Sequence, residues 1–325
     1  MSATQFPFSP VLSEISIARG LGRPGVGTVI APLKFESDLK YEYPVFEDHR
    51  GTGTIDSLRA PGDEVKVILN DSYKMEGGII KDHSIDVLSP IEFNSGVIAR
   101  QIDQYERAVG KAVEVIRRAH EQKVRNTFWA ANLAGFQAKY GTAKVENLTS
   151  TARWTSTAPK MRKNIKDLGE KIIDDTGYAP NTLVLTAELF NHITSADNEI
   201  REVIKYTQFG VATLQTLAQY FDVSEVVVAG ISFDTANPAL DPVYSKLYQG
   251  AHALLFYRDP NPGRDSMNLG ATFAADGTIA DEIGPFLGIQ PWYNMARKSN
   301  MLRCSAYFDV KAINFKAGAV VFNTP

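Results

Sequence analysis

The chain has 325 residues, of which 44% are hydrophobic and 22% are charged, and its formal net charge at pH 7 is −3. These values predict a globular protein of about two domains and give no electrostatic reason to expect binding to nucleic acid or to a membrane surface. The single cysteine, Cys304, excludes an intrachain disulfide, no run reaches the ~20 apolar residues of a membrane span, and the opening MSATQFPFSP lacks the features of a signal peptide.

Residues 1–34 are rich in proline and glycine and show little hydrophobic periodicity. Such a segment is ordered by a partner or stays disordered, so we predict an extended arm. Within it, Gly20, Gly22 and Gly25 have the G-x-G-x-x-G spacing of a dinucleotide-binding loop. That loop needs a strand before it and a helix after it, and the flanking sequence predicts neither. We therefore interpret the glycines as bending points and keep a dinucleotide-binding enzyme as an alternative.

Residues 35–90 carry the alternating patterns of β-strands. In DEVKVIL, residues 63–69, alternate apolar side chains share one face, NDS follows as turn chemistry, and YKMEGGIIKDHSIDV returns as the second strand. An isolated two-stranded hairpin is only marginally stable in water. We therefore predict that this hairpin lies against another surface, since the chain offers little obvious surface of its own.

The strongest helical pattern covers residues 95–134. Asn94 or Ser95 can cap its start and Gly135 can end it. A helix of about 40 residues would be roughly 55–60 Å long, so we expect a spine across an elongated molecule. Its stripe comprises Ile98, Ile102, Tyr105, Val109, Val113, Ile116 and His120, and its charge pairs are Asp103–Arg107, Glu114–Arg118 and Glu121–Arg125.

Residues 160–297 alternate helices with short buried strands, which is typical of an α/β unit. The helix MRKNIKDLGEKIIDDTG ends at Gly177, and the strands are TLVLT, SEVVVAG and HALLFY. The closing stretch NMLRCSAYFDVKAINFKAGAVVF returns to β structure. In it Leu302, Cys304, Ala306, Phe308 and Val310 alternate with polar residues, and we expect this stretch to pair back with the spine region.

The residue patterns predict no catalytic, cofactor or metal site. His120 and Glu121 begin an H-E-x-x-H zinc pattern, but position 124 is valine, so we expect His120 to end the apolar stripe or face solvent. Cys304 is placed on the inward face of its strand, where a thiol acts as a small hydrophobe. We interpret the remaining polar clusters as loop or surface residues: Asp48-His49, Asp82-His83, and the basic Lys160, Arg162, Lys163 and Lys166.

Several stretches of the sequence are similar to coat proteins of tailed phages. They are ARWTS, IIDDTGYAPNTLVLTAELFNHI, IREVIKYTQFGVATLQTLAQYFDVSEVVVAGISFDTA and ALLFYRDPNPGRDSMNLGATF. The order of arm, hairpin, spine helix, α/β unit and return strand also resembles that of the tailed-bacteriophage major capsid proteins, which have the HK97-like shell fold. The resemblance runs essentially the whole length, and its structural motifs carry over no catalytic residue.

This resemblance implies an α+β, HK97-like subunit that is not an enzyme and that self-assembles into the hexamers and pentamers of an icosahedral shell around a phage genome. It divides the chain into an N-arm (1–34), an E-loop (35–90), a peripheral domain (91–159 and 298–325) and an axial domain (160–297). Contacts between subunits are then expected at Gly20, Gly22 and Gly25 in the arm and at Asp63, Lys66, Lys74 and Lys81 in the E-loop.

The resemblance also implies partners and a location. Because the spine helix starts near residue 95, we expect no removable leading domain and a separate scaffolding protein. The other expected partners are a portal, optionally a decoration protein, and double-stranded DNA that is enclosed without sequence-specific binding. No membrane partner is expected. The protein is expected in the virion and, during assembly, in the host cytoplasm.

Two questions stay open from the sequence. Some relatives join subunits by a lysine–asparagine bond, for which Lys66, Lys74 or Lys81 could pair with Asn300 or Asn314, although nothing in their setting marks them out. An encapsulin-type compartment, whose shell encloses cargo protein, has the same fold and is the main alternative function.

Overall fold

The computed structural model describes residues 25–48, 72–90, 98–156, 160–195, 200, 213–234, 243–261, 263, 266–276 and 287–323. The chain divides into two compact units. The first unit comprises Met1–Glu42, Gly77–Val124 and Ala271–Lys311, and the second unit comprises Tyr43–Glu76, Arg125–Gly270 and Ala312–Pro325. The predicted division into arm, E-loop, peripheral and axial domains stays a prediction.

The described residues form six α-helices and fourteen strands, numbered here in chain order. The helices are α1 (Val26–Ile30), α2 (Ile98–Phe128), α3 (Leu133–Tyr140), α4 (Met161–Thr176), α5 (Ala187–Ser195) and α6 (Leu214–Phe221). The strands are β1 (Leu33–Glu36), β2 (Lys40–Asp48), β3 (Ser72–Ile79), β4 (Lys81–Pro90), β5 (Val145–Leu148), β6 (Thr182–Thr186), β7 (Glu225–Ala229), β8 (Ser232–Asp234), β9 (Tyr244–Lys246), β10 (His252–Phe256), β11 (Gly270–Ala275), β12 (Leu287–Asn294), β13 (Ser299–Ala312) and β14 (Gly318–Asn323). Of these helices, none is both long and apolar enough for a membrane span.

The first unit is built on a five-stranded sheet around the long strand β13. β13 pairs antiparallel with β12 and with β4, and β11 links it to β1. The five residues that the alternation places inward, from Leu302 to Val310, are all buried, which confirms that prediction. The polar residue Asp309 is buried as well. Its Oδ2 accepts a hydrogen bond of 2.9 Å from the hydroxyl of Tyr41, which compensates for the burial of the carboxylate.

The predicted second strand of the hairpin is two strands in the structure. β3 pairs with β2, whereas β4 pairs with β13, from Lys81 opposite Phe308 to Pro90 opposite Ser299. The expectation that the chain offers this hairpin little surface of its own is therefore wrong for β4, because β4 pairs along its length with β13. Residues 63–69, the predicted first strand, lie outside the described residues.

The spine helix is shorter at its end than its apolar pattern predicts. α2 ends at Phe128, and Asn132 caps the next helix by accepting a 2.8 Å hydrogen bond from the backbone N–H of Gly135. Gly135 therefore lies in the first turn of α3 and does not end the spine. The stripe residues Val109 and Val113 are buried as predicted, while the predicted caps at 94 and 95 lie outside the described residues.

The second unit contains the α/β structure that the sequence predicts. Its five-stranded sheet has the order β5-β14-β10-β6-β7, and β6, β7 and β10 match the three predicted strands. α4 ends before Gly177, whose φ of 73° is the left-handed conformation of a helix C-cap. The buried cluster between the sheet and its helices includes Leu168, Ile172, Leu183 and Phe221.

The closing stretch of the chain does not act as one strand. After β13, Asn314 caps a short 3-10 helix over Phe315–Ala317, and β14 then pairs with β10 and β5 in the second unit. The stretch pairs with the predicted 91–159 region only through β14, whose partner β5 lies in it, whereas the strands that pair with β13 all lie outside that region. The capped turn explains the difference, because it redirects the backbone between two otherwise continuous β patterns.

Candidate subunit-interface elements

The described end of the arm is a buried helix of the first unit. In α1, Val26 is 4% exposed and Ile30 is 1% exposed. The backbone N–H of Gly27 donates a 2.8 Å hydrogen bond to Oε1 of Glu121, a residue of α2 that is only 1% exposed. The spine helix thus holds the end of the arm within its own chain.

Gly25 and Gly27 permit this close approach. A Cβ atom on Gly25 would lie 1.7 Å from Oε1 of Glu121, and one on Gly27 would lie 3.0 Å from the ring of His120. The interpretation of Gly25 as a bending point is therefore corrected, because its lack of a side chain admits a buried carboxylate. Gly20 and Gly22 lie outside the described residues.

The same contact bears on the dinucleotide-binding alternative. The sequence predicts no helix after the glycines, yet the five residues of α1 are helical. A dinucleotide loop would direct such N-terminal amides at a phosphate, but here the amide of Gly27 already bonds to Glu121. Glu121, which the sequence pattern pairs with Arg125, has a buried side chain.

His120 is a buried residue of the same cluster. Its Nε2 lies 2.9 Å from Oγ1 of Thr272, and burial lowers the pKa of the ring to about 4. The residue ends the apolar stripe and does not face solvent, because its side chain is enclosed by the sheet. No group of three or more potential metal ligands occurs among the described residues, so this part of the chain assembles no cluster around Asp82 and His83.

The remaining reactive side chains are packed in the interior. Cys304 is 0% exposed, and burial raises the pKa of its thiol to about 12, so the thiolate nucleophile is scarce at neutral pH. In the second unit, burial lowers the pKa of His252 to about 4, and its ring stacks on Phe322 at 4.3 Å. His252 borders an open cavity of about 710 Å³, where a neutral, stacked imidazole serves as an aromatic wall.

We expect Gly25→Ala to destabilise the unassembled subunit by about 1–3 kcal/mol. The new methyl would displace the Glu121 carboxylate and leave the Gly27 amide without its acceptor, and an unsatisfied buried group costs that much. Chemical denaturation measures the change. Gly77→Ala is the matched control, because a Cβ there meets nothing within 4 Å. Equal stability of both variants would show that the Gly25–Glu121 approach is unimportant.

The ribbon of β2 and β3 exposes apolar residues that the rest of the described chain does not cover. Met75 is 48% exposed and Ile79 is 56% exposed, and the alternation of a strand places both on one face of β3. Other parts of the ribbon are held by contacts within the chain: the hydroxyl of Tyr43 lies 3.1 Å from Glu76, and Tyr41 stacks on Phe273 with ring centroids 4.2 Å apart. A two-stranded ribbon with an open apolar face favours burial against a partner.

Comparison with known proteins identifies the fold. No family model matches the chain. It is 28% identical over 123 residues to the major capsid protein of Burkholderia phage BcepMu, and the match spans 38% of the length of each protein. A phage-related protein from Bordetella bronchiseptica RB50 has a TM-score of 0.74 at 20% identity, with 98% of both chains covered. The capsid structure of cyanophage P-SCSP1u has a TM-score of 0.50 at 8% identity, covering 100% of this chain and 90% of that one. The chain has the HK97-like fold of phage capsid proteins.

Within this HK97-like fold, the predicted contact residues fall at different places. Lys74 has a side chain that is 67% exposed and lies 3.8 Å from Glu76, while Lys81 is exposed at the start of β4. Asp63 and Lys66 lie outside the described residues, so the structure does not bring the predicted set together. Sequence reasoning missed Glu121 as a contact of the arm, because its position on the spine is equally typical of a surface charge pair.

The two asparagines considered for a covalent link both lie in described elements of their own chain. Asn314 is 4% exposed, and its Oδ1 accepts a 2.9 Å hydrogen bond from the backbone N–H of Lys316. Asn300 lies within β13, opposite Ser89 on one side and Tyr293 on the other. A buried amide that caps a turn is a poor target for a lysine of another subunit.

Proposed function

We propose that the protein is a structural capsid subunit, whose copies form the pentamers and hexamers of an icosahedral shell around a phage genome. The observation that carries the proposal is the HK97-like fold, which extends over essentially the whole chain. The exposed apolar face of β3 supports it physically, because that face needs a partner that the described chain does not supply. In this role the chain acts by packing and has no catalytic step.

The partners follow from the same role. The protein would bind copies of itself, a separate scaffolding protein, a portal and, as an option, a decoration protein. It would enclose double-stranded DNA without reading its sequence, and the formal net charge of −3 is consistent with containment in place of tight binding. We place the mature protein in the virion and the assembling subunit in the host cytoplasm.

Sedimentation velocity of the purified full chain tests the proposal. We expect pentamers, hexamers or closed shells, either alone or after addition of the scaffolding protein. A strictly monomeric species at every salt concentration, with and without scaffold, would contradict it.

The main alternative is an encapsulin-type compartment, which has the same architecture. The absorbance spectrum of particles from infected cells distinguishes the two, because a genome shell contains nucleic acid and a compartment contains cargo protein. A portal at one vertex supports the phage capsid, and regular particles that hold only protein support the compartment.

A denaturing gel of mature particles should show a single band near the chain mass of 35.8 kDa. Asn314 is buried and its side chain already accepts a hydrogen bond from Lys316. This argues against a lysine–asparagine bond at Asn314, so we expect no covalent multimers. A ladder of bands at multiples of the chain mass would contradict this prediction. A variant with Asn314→Ala in which that ladder disappears would then locate the bond.

A further inference from the structure

Helix α4 of the second unit carries its charges in an order that opposes its own dipole. Basic residues cluster at its start and acidic residues follow from Asp167 onward, with Lys171 as the one basic residue among them; the helix has no acidic residue in its first turn and no basic residue in its last. A helix favours the reverse, since its N-terminus carries partial positive charge. The basic set is Lys160, Arg162, Lys163 and Lys166, and the acidic set is Asp167, Glu170, Asp174 and Asp175.

Partners within the chain explain only a small part of this arrangement. Asp175 is 2.7 Å from the ammonium of Lys144. In the described part of the chain, the other seven charges of these two sets are exposed and have no ion-pair partner. Since these charges neither support the helix nor pair within the described residues, we look for their role outside the subunit.

The acidic end of α4 also borders exposed aromatic surface. Tyr178, which follows the helix, is 44% exposed and stacks on Tyr257 with ring centroids 4.9 Å apart. Ile173 on the last turn is 43% exposed. An apolar, tyrosine-rich patch with a charged rim is typical of a protein–protein contact.

We propose that the basic start of α4 in one copy binds the acidic end of α4 and the Tyr178–Tyr257 pair in the next copy of this chain. The proposal rests on the proposed function, because a head-to-tail contact of this kind closes into a ring when it is repeated around an axis. α4 is about 24 Å long, so one helix presents both complementary surfaces. Charge complementarity selects a second copy as the occupant, since the start of the helix carries four positive charges, whereas residues 167–175 carry four negative charges and one positive charge, a net charge of −3.

The phosphates of packaged DNA are a less suitable occupant for the basic end. Asp167 and Glu170 follow Lys166 within about one turn, a distance shorter than the Debye length at physiological salt. Their charge repels a phosphate backbone that lies along the helix. In a contact between copies, by contrast, each charged end faces a surface of the opposite sign.

Charge reversal at each end tests the contact in the full chain. The basic-end variant carries Arg162→Glu with Lys163→Glu, the acidic-end variant carries Glu170→Lys with Asp174→Lys, and a combined variant carries all four changes. We expect either end alone to raise the protein concentration needed for assembly by about tenfold or more, since like charges then face each other. The combined variant should return to within about threefold of the unmodified protein, because opposite charges meet again.

Thermal unfolding of the unassembled subunits separates this effect from misfolding. Both single-end variants should melt at or above the temperature of the unmodified subunit, because the new charges complement the dipole of α4. The matched control is Lys111→Glu with Arg297→Glu, two exposed positions of the first unit, which should leave assembly unchanged.

Several outcomes would overturn the contact. These are normal assembly of either single-end variant, failure of the combined variant to recover, or normal shells that lose only their DNA when the basic end is reversed. An unmodified protein that stays monomeric under all conditions would overturn the proposed function, and this contact with it. Normal assembly of the unmodified protein together with unaffected variants would overturn this contact alone.

Discussion

A chain in which a short Gly-Ser turn joins Asp48 to Ser72 should fold normally and fail to form shells. β2 ends at Asp48 and β3 begins at Ser72, so a direct turn preserves the ribbon of these two strands. The change removes residues 49–71, which include the predicted contact residues Asp63 and Lys66. A specific interface needs about 1,000 Å² or more, and we expect a segment of this length to supply a large part of it.

Circular dichroism and sedimentation velocity together measure the outcome of this deletion. The expected result is a near-native spectrum with assembly abolished or badly deranged. A control that replaces residues 49–71 with an equally long Gly-Ser linker separates the loss of contacts from the change in length. Normal shells from the deleted chain would show that the segment is not the intersubunit element, and a globally unfolded product would place it in the core of the subunit.

Lowering the pH from about 6.5 to about 4 should destabilise the unassembled subunit by several kcal/mol. Burial lowers the pKa of His120 and of His252 to about 4 each, from an ordinary 6.5. Below pH 6.5 the unfolded chain binds protons that the folded chain excludes. Stability is therefore full above pH 6.5 and is lost as the pH falls toward 4, by up to about 3 kcal/mol for each histidine.

His120→Gln is the informative variant for this pH dependence. Glutamine can keep a hydrogen bond to Thr272 but does not titrate, so roughly half of the histidine-dependent loss should disappear. Denaturant unfolding at a series of pH values checks this expectation, and a parallel profile for His120→Gln and the unmodified protein would contradict the assignment.

Local patterns in the sequence were sufficient for the α/β structure of the second unit. The helix that ends at Gly177 and the strand TLVLT are encoded by residues within a few positions of each other, as a C-cap glycine and a short β-branched run. The alternation from Leu302 to Val310 likewise identifies the buried face of β13. In each of these elements, the side chains that set the structure are neighbours in the chain.

Features that depend on distant residues could not be predicted in this way. Nothing near Glu121 indicates that the Gly27 amide, 94 positions away, would bury its carboxylate. The apolar pattern of α2 continues past Phe128, but the helix ends there because Asn132 caps the start of the next helix. The separation of β3 from β4 at Ile80 depends on β13, more than 200 residues later in the chain.

The candidate interface is the least predictable part of the protein. Met75 and Ile79 are 48% and 56% exposed in the described chain, so we expect their role to depend on a second molecule. The sequence suggested this region only through its resemblance to capsid proteins. The opposed charge order of α4, in contrast, is readable from the sequence once the helix bounds are known.

Electron cryomicroscopy of particles assembled from the full chain tests the central claim most directly. We predict closed icosahedral shells of pentamers and hexamers, in which every subunit has the HK97-like fold described here and residues 49–71 lie across a neighbouring subunit. Preparations that contain only monomers or irregular aggregates, with scaffolding protein present, would contradict the claim that this protein is a capsid subunit.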